Sequence, residues 1–286
     1  MTSAFCPAHI TCFFRPIISG SIPERGSMGV GVRLGAGTTV HLYEIIGRTK
    51  IAIDGKADDA KITRHVLEHM APGRSFEASI ECGLPPGQGF GMSASGAIAA
   101  ALCVSEIVGK SRTEAFEAAH TAEVVCGGGL GDVAGLMHEA DVPIRTAAGL
   151  PPFGHVTDRG TVFEKMALVV LGQKLSTAGI LGNDDDMRRI CAAGDTAMER
   201  FLKDPAKDAL FQTSNAFSLE AGIRGPKVAD AMRVLEKNGI RSAMCMLGNS
   251  IFTDVPEQEV RAVLGDRGEV FSASSTSEAA RLIRKA

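Results

Sequence analysis

The chain has 286 residues, of which 45% are hydrophobic and 22% charged, a composition typical of a soluble globular protein. Its length exceeds that of one ordinary domain and predicts two. Thirty basic and 33 acidic residues leave a net charge of -3, so no overall attraction to nucleic acid or to an anionic membrane is expected. Without an N-terminal signal or an apolar stretch of about 18 residues, the sequence predicts a cytoplasmic protein.

The first third of the chain is predicted to be rich in strands. Residues 4–15 and 28–46 alternate apolar and polar positions between glycine-rich joints, as strands do. Residues 61–70 indicate a short helix, and the alternation over 75–82 indicates another strand. That last strand leads directly into a glycine-rich stretch.

Two helices are predicted after this stretch. The small and apolar residues 94–108 indicate a buried helix that ends before Gly109. Ser111 and Glu114 form a capping-box pattern, which predicts a second helix ending near Gly127.

A change of pattern follows the turn-rich residues 147–154, and we predict a first domain over 1–160 and a second over 161–286. The second domain is predicted to contain strands at 166–171, 241–247 and 250–253, and helices near 186–203, 207–221, 227–238, 256–264 and 276–285. Because strands and helices are grouped and do not alternate strictly, the fold class is predicted to be α+β.

The glycine-rich stretch is predicted to bind phosphate. Its glycines allow close approach of a ligand, and the N-terminus of the following helix adds a partial positive charge. The alternative is a turn without a ligand. The spacing excludes two other phosphate motifs: Met92 stands where a dinucleotide fingerprint needs its third glycine, and Val104 where a Walker loop before Gly109-Lys110-Ser111 needs its first. The predicted nucleotide-binding residues are Pro85, Gly87, Gln88, Gly89, Gly91, Met92, Ser93, Ala94 and Ser95.

Three residues near this stretch are candidates for phosphoryl transfer, which needs a phosphate loop, a metal ion and a group that orients the attacking oxygen. Ser93 and Glu123 offer the hard oxygen ligands that Mg²⁺ prefers. Asp132 follows a second glycine-rich turn and could accept the proton of a substrate hydroxyl. Alternatively, Ser93 is a simple helix N-cap and Glu123 a partly exposed helix charge.

Two further residues are candidates for substrate binding. His120 precedes Glu123 by three residues, so the two side chains should share a helix face, although a core histidine is the alternative. Arg145 could hold a substrate carboxylate through two hydrogen bonds, although a surface arginine is the default interpretation.

Pro85-Pro-Gly-Gln-Gly-Phe-Gly-Met-Ser-Ala-Ser resembles the central signature P-x-x-G-x-G-L-G-S-S-A of the GHMP kinase superfamily, named for galactokinase, homoserine kinase, mevalonate kinase and phosphomevalonate kinase. The resemblance implies a ribosomal-S5-like N-terminal domain and a ferredoxin-like C-terminal domain. It also implies an ATP-dependent kinase in which Ser93 and Glu123 bind Mg²⁺ and Asp132 is catalytic. A homodimer is likewise implied. The first family motif is reduced to Pro7-Ala8-His9.

The resemblance extends over residues 7–250 and implies transfer of the γ-phosphate of ATP to the primary hydroxyl of a small hydroxy acid. Arg145 is expected to receive the carboxylate of that substrate, with Ser27 and His120 as polar neighbours. Homoserine and mevalonate are alternative acceptors. A nucleotide-binding regulator that has lost catalysis is the alternative from another functional class.

Overall fold

In the computed structural model the residues described are 1–174 and 184–284, and within them the strands form two sheets. The first is a mixed sheet of eight strands, and the second is an antiparallel sheet of four. No helix in these two ranges is both long and apolar enough to cross a membrane.

The first sheet is built on a long antiparallel hairpin of β1 (Thr2–Ile17) and β2 (Gly26–Ile45), which confirms both predicted strands. Its other strands are β3 (Lys50–Ile53), β4 (Lys56–Ala57), β5 (Ser75–Cys82), β6 (Ile144–Ala147), β7 (His155–Thr157) and β12 (Arg281–Leu282). The strand order is β12-β1-β2-β5-β3-β4, with β6 and β7 joined to it through β2. The sequence predicted β5 with the observed bounds, whereas the short strands β3, β4, β6 and β7 were not predicted.

Four helices accompany this sheet, namely α1 (Lys61–Met70), α2 (Met92–Val108), α3 (Arg112–Cys126) and α4 (Asp132–Met137). The first three agree with the predicted helices, and the capping box of Ser111 and Glu114 forms at the start of α3. The central helix α2 consists mostly of small and apolar residues, because it packs against the sheet and against α1 and α3 and is buried along most of its length. The one-and-a-half-turn helix α4 was not predicted.

The second sheet contains β8 (Met166–Val170), β9 (Ser242–Cys245), β10 (Ser250–Thr253) and β11 (Glu269–Ala273). Its helices are α5 (Asp184–Lys203), α6 (Lys207–Glu220), α7 (Pro226–Lys237) and α8 (Glu257–Leu264). The strand order in this sheet is β11-β8-β10-β9. Three of the strands and all four helices lie within two residues of their predicted bounds, whereas β11 was not predicted. A division of the chain at residue 160 stays a prediction.

The helix predicted near 276–285 is wrong. Arg281 and Leu282 instead form β12, which pairs antiparallel with Phe5 and Ala4 of β1. A ten-residue helix is marginal by itself, whereas the edge of β1 offers unpaired backbone groups to which this segment can bond. The last residue of the predicted helix, 285, lies outside the described residues.

The strand β1 belongs to both hydrophobic cores. Its first half, with Ala4 and Cys6, packs in the core formed with α1, α2 and α3. Its second half, from Ala8 to Phe14, packs in the core formed with the second sheet and its helices. The ring of Phe13 meets that of Phe201 from α5 edge-on, at 5.5 Å between centroids. Both parts of the chain are therefore anchored on one strand.

Phe201→Ala should destabilise the protein by about 3–5 kcal/mol, because Phe201 is 2% exposed and its removal leaves a cavity against β1. Leu202→Ala is the matched control, since Leu202 is 45% exposed on the same helix and should change stability little. Urea unfolding of the two variants measures the difference. Equal losses in both would contradict the packing described for β1 and α5.

Candidate functional site

A cleft of about 340 Å³ lies where the first sheet, the glycine-rich loop and the turn between β9 and β10 meet. The loop supplies one wall, the run 127–131 after α3 another, and Thr11 and Phe14 of β1 the floor. Its charged lining residues are Glu123 and Asp132.

The glycine-rich loop is held tightly between β1 and the β9–β10 turn. Gly87, Gly89 and Gly91 all have a positive φ, between 64° and 77°, which side chains rarely adopt. A methyl group at Gly91 would lie 2.6 Å from the backbone oxygen of His9, and one at Gly89 would lie 2.8 Å from that of Met246. Glycine is therefore required both for the loop conformation and for its close packing.

Only part of the predicted nucleotide-binding set lines the cleft, namely Gly87, Gly89, Gly91, Met92 and Ser93. The other side chains turn into the protein or lie outside the cleft. Gln88 donates to the backbone oxygen of Gly172 at 2.9 Å, and the hydroxyl of Ser95 donates to that of Cys6 at 2.7 Å. Pro85 and Ala94 do not line the cleft, and Ala94 is fully buried.

Ser93 and Glu123 meet at the inner end of the cleft. The Ser93 hydroxyl donates to Oε1 of Glu123 at 2.6 Å, and the backbone N–H of Gly129 donates to Oε2. Glu123 is only 1% exposed. Burial, helped by the negative charge of Asp132, raises the pKa of Glu123 to about 7, although its two hydrogen bonds act in the opposite direction. Glu123 is thus a buried carboxyl group and not a solvated helix charge.

Asp132 stands at the first position of α4, 20% exposed at its side chain. Its Oδ1 accepts a hydrogen bond from Nδ1 of His9 at 2.7 Å, and one from the hydroxyl of Thr11 at 3.4 Å. Burial acts to raise the pKa of Asp132, but the bond from His9 and the charge of Arg145 outweigh it, so that the pKa is lowered. Asp132 is therefore ionised at neutral pH.

His9 and Thr11 were not predicted as site residues. The reduced first motif, Pro7-Ala8-His9, was the available signal, but nothing local in it points to Asp132. Register shifts in β1 at Pro7/Ala8 and again at Thr11/Phe13 bracket these two residues. Such bulges re-aim side chains, and here both side chains reach the aspartate.

Of the three predicted substrate-binding residues, Ser27 and Arg145 lie together, whereas His120 lies apart. Ser27 lines the cleft. Arg145 is fully buried behind it, where its Nε donates to the backbone oxygen of Ser27 at 3.2 Å. His120 lies in a neighbouring depression beside Pro23, and its Nε2–H donates to the backbone oxygen of Ile22 at 3.1 Å.

The charge of the cleft is unusual for a phosphate site. In the part of the chain that the structure describes, its lining includes two carboxyl groups and no lysine, arginine or histidine. The basic side chain of Lys174 lies next to Gly87 at the edge of the cleft, since a methyl group at Gly87 would be 2.7 Å from Cβ of Lys174. An anion could therefore enter only with a cation or with help from the N-terminus of α2 and Lys174.

Glu123→Gln should stabilise the metal-free protein at pH 8 by about 3 kcal/mol, because one pKa unit corresponds to about 1.4 kcal/mol. The pKa of Glu123 is raised on folding from 4.5 to about 7, so the buried charge destabilises the fold above pH 7. Glutamine cannot ionise, and both hydrogen bonds survive if the Ser93 hydroxyl accepts instead of donating. Urea unfolding in EDTA at pH 8 measures the gain.

The gain should disappear as the pH falls from 7 to 4.5, because the carboxyl group of Glu123 is then protonated in the unfolded chain as well as in the folded protein. Repeating the unfolding at pH 5 provides the control. An equal difference at both pH values would mean that Glu123 does not titrate as its burial indicates.

Comparisons with known proteins place this geometry in a family. A model of the GHMP kinases N terminal domain matches residues 60–139. A pantoate kinase from Thermococcus kodakarensis is 34% identical over 268 residues, covering 90% of this chain and 88% of its own length. One from Methanocaldococcus jannaschii is 28% identical over 252 residues, covering 87% and 90%.

A solved structure described as a phosphotransferase related to the CoA biosynthesis pathway superposes with a TM-score of 0.88 at 30% identity, covering 99% of this chain and 98% of its own. The predicted α+β fold of the GHMP kinase type is thus confirmed.

Proposed function

The chain belongs to the pantoate kinase family of the GHMP kinases, and we propose that it transfers the γ-phosphate of ATP to the primary hydroxyl of (R)-pantoate. The product would be 4-phosphopantoate, an intermediate of coenzyme A biosynthesis. One observation carries the proposal: Ser93, Glu123 and Asp132 line a single cleft beside a glycine-rich loop. We further propose a cytoplasmic enzyme that acts as a homodimer.

The phosphates of ATP would lie along Gly87, Gly89 and Gly91, against the N-terminus of α2. A second cleft of about 450 Å³ opens on the other side of Gly87. It is lined mainly by apolar side chains, including Ile53, Ile80 and Pro86, and would accept the adenine base.

Mg²⁺ fits the donor groups at the inner end of the cleft, where the Ser93 hydroxyl and the Glu123 carboxylate provide hard oxygen ligands. The absence of basic lining residues in the described chain supports a cation here, because ATP would otherwise face two carboxyl groups unaided. When bound, the ion neutralises charge on the transferring phosphate. The hydrogen bond between Ser93 and Glu123 would be exchanged for bonds to the metal.

Asp132 would orient the acceptor. Both hydrogen bonds from side chains fall on its Oδ1, which leaves Oδ2 to accept the bond from the pantoate hydroxyl. The hydroxyl oxygen of pantoate attacks the γ-phosphorus in line, while the bond between the γ-phosphorus and the β–γ bridging oxygen breaks and ADP leaves. Because the pKa of Asp132 is lowered, it is a weak base that takes the proton late, as a loose transition state allows.

Asp132→Asn should reduce kcat by about 100-fold or more, as expected for loss of a positioned acid–base group, and leave the Kd for ATP unchanged. The amide oxygen can still accept the bond from His9, so the local structure is preserved. Steady-state kinetics and calorimetric titration with a non-hydrolysable ATP analogue measure the two quantities. Turnover near that of the wild type would rule out Asp132 as the catalytic residue.

The acceptor is tested by incubating the protein with ATP and Mg²⁺ and one of (R)-pantoate, homoserine or mevalonate. We expect phosphate transfer to pantoate, with kcat/KM at least about 100-fold above the other two, because a site that pairs polar groups of its substrate rejects analogues lacking them. Phosphorus NMR identifies the product. Preference for homoserine or mevalonate would show that pantoate is not the substrate. The absence of ATP-dependent turnover with all three acceptors would favour a nucleotide-binding regulator.

A further inference from the structure

We propose that His9 and Arg145 form a buried pair that positions Asp132. Arg145 fixes the imidazole of His9, and His9 in turn holds one carboxylate oxygen of Asp132, so that the other faces the substrate. This inference rests on the proposed function for the role of Asp132. It assigns His9 and Arg145 as positioning residues that do not touch the substrate.

The hydrogen bonds define the protonation of His9. Nη1 of Arg145 lies 3.4 Å from Nε2 of His9, and a guanidinium group can only donate. Nε2 must therefore accept, which places the single ring proton on Nδ1, 2.7 Å from Oδ1 of Asp132. The arginine, which only donates, and the ionised carboxylate, which only accepts, thus favour the same tautomer from opposite sides of the ring.

The pair is shielded from the cleft. His9 and Arg145 are both fully buried, and neither lines the cleft that contains Asp132. The guanidinium lies directly behind two lining residues: its Nε donates to the backbone oxygen of Ser27, and a methyl group at Gly131 would lie 2.8 Å from that Nε. Arg145 consequently acts on the site through His9.

Glycines make room for the pair. A methyl group at any of four glycines would lie less than 3 Å from a side-chain atom of His9 or Arg145: Gly29, Gly31, Gly131 and Gly135. They come from β2, from the run before α4 and from α4 itself. Two large polar side chains thus occupy space that several separate segments leave empty.

The environment of Arg145 points away from a purely structural role. Its Nη2 is buried and, within the described chain, has no hydrogen-bond partner. An incompletely paired buried guanidinium is costly, so an interior selected only for stability would favour an apolar side chain at this position. The charge of Arg145 instead contributes, together with His9, to keeping Asp132 ionised.

The first test replaces His9. His9→Leu removes the donor and should lower kcat by about 10–100-fold, the size of effect seen when an orienting partner is lost. KM for ATP and for pantoate should stay within about twofold, because no contact with either substrate is removed. His9→Asn should recover most of kcat, since its amide nitrogen can donate from near the position of Nδ1. Equal loss in both variants, or a change confined to KM, would overturn the proposal.

Replacement of Arg145 separates positioning from substrate binding. Arg145→Met should lower kcat with an unchanged KM for pantoate, because the proton on His9 is no longer fixed. A rise in the KM for pantoate with kcat preserved would instead mean that Arg145 binds the substrate carboxylate.

Gly135→Ala disturbs the pair without removing a polar group. The added methyl would lie 2.8 Å from Nε2 of His9, so the buried ring must shift. Overpacking will lower the melting temperature, and we expect a lower kcat even when the assay is run well below it. Gly35→Ala, in β2, is the control because its nearest neighbour would be 3.6 Å away, and it should retain kcat. Wild-type kcat in Gly135→Ala would count against the pair.

The tautomer itself can be observed without any turnover. In ¹⁵N NMR at pH 7, the His9 signal, identified by its loss in His9→Asn, should show a protonated Nδ1 and a bare Nε2. The other tautomer or a doubly protonated ring would overturn the inference even in an active enzyme. Conversely, a wild-type protein inactive on pantoate but with this tautomer would count against the proposed substrate only.

Discussion

Two carboxyl groups share one cleft, and the need to keep their ionisation different explains much of the surrounding structure. Burial raises the pKa of Glu123, whereas a hydrogen bond from a buried histidine and the charge of Arg145 lower that of Asp132. Like charges at short range in a low dielectric oppose each other, so each group needs its own environment. Opposed environments for paired carboxyl groups are typical of sites in which the two have separate tasks. In the proposed mechanism Glu123 binds the metal and Asp132 the hydroxyl.

The fold supplies these environments from one strand. The first half of β1 packs against the core of α2, which carries Ser93, and its second half packs against the second sheet and its helices. Between the halves, His9 bonds through its backbone to the glycine-rich loop at Phe90 and through its side chain to Asp132. The glycine-rich loop and the carboxylate of Asp132 are therefore both bonded to a single residue of a strand that both cores anchor. Movement of either element would disturb the other.

The sequence predicted what is encoded locally. The glycine-rich loop, Ser93, Glu123 and Asp132 could be found because glycine spacing, caps and isolated carboxylates are visible in short windows, and the helices and most strands followed from periodicity. His9 and Arg145 are 136 residues apart and meet only because β1 and β6 both pair with β2, so no local pattern reveals their contact. His120 and Glu123 were expected on one face, but three residues along a helix still leaves about 60° between them, enough to reach separate depressions. The predicted last helix failed because a free strand edge outcompeted helix propensity.

The unpaired nitrogen of Arg145 bears on why such a pair exists at all. An apolar residue would fill the same space among the glycines at a lower cost in free energy of folding. It would, however, remove the donor that faces Nε2 of His9 and opposes a proton on that nitrogen. A neutral imidazole bonded to a carboxylate through the wrong nitrogen is no donor, and the aspartate would lose its fixed orientation. The ionised carboxylate of Asp132, which can only accept, already favours a proton on Nδ1, and a group behind the ring that only donates reinforces that choice. Among the side chains, arginine meets that condition at every physiological pH because it does not lose its proton.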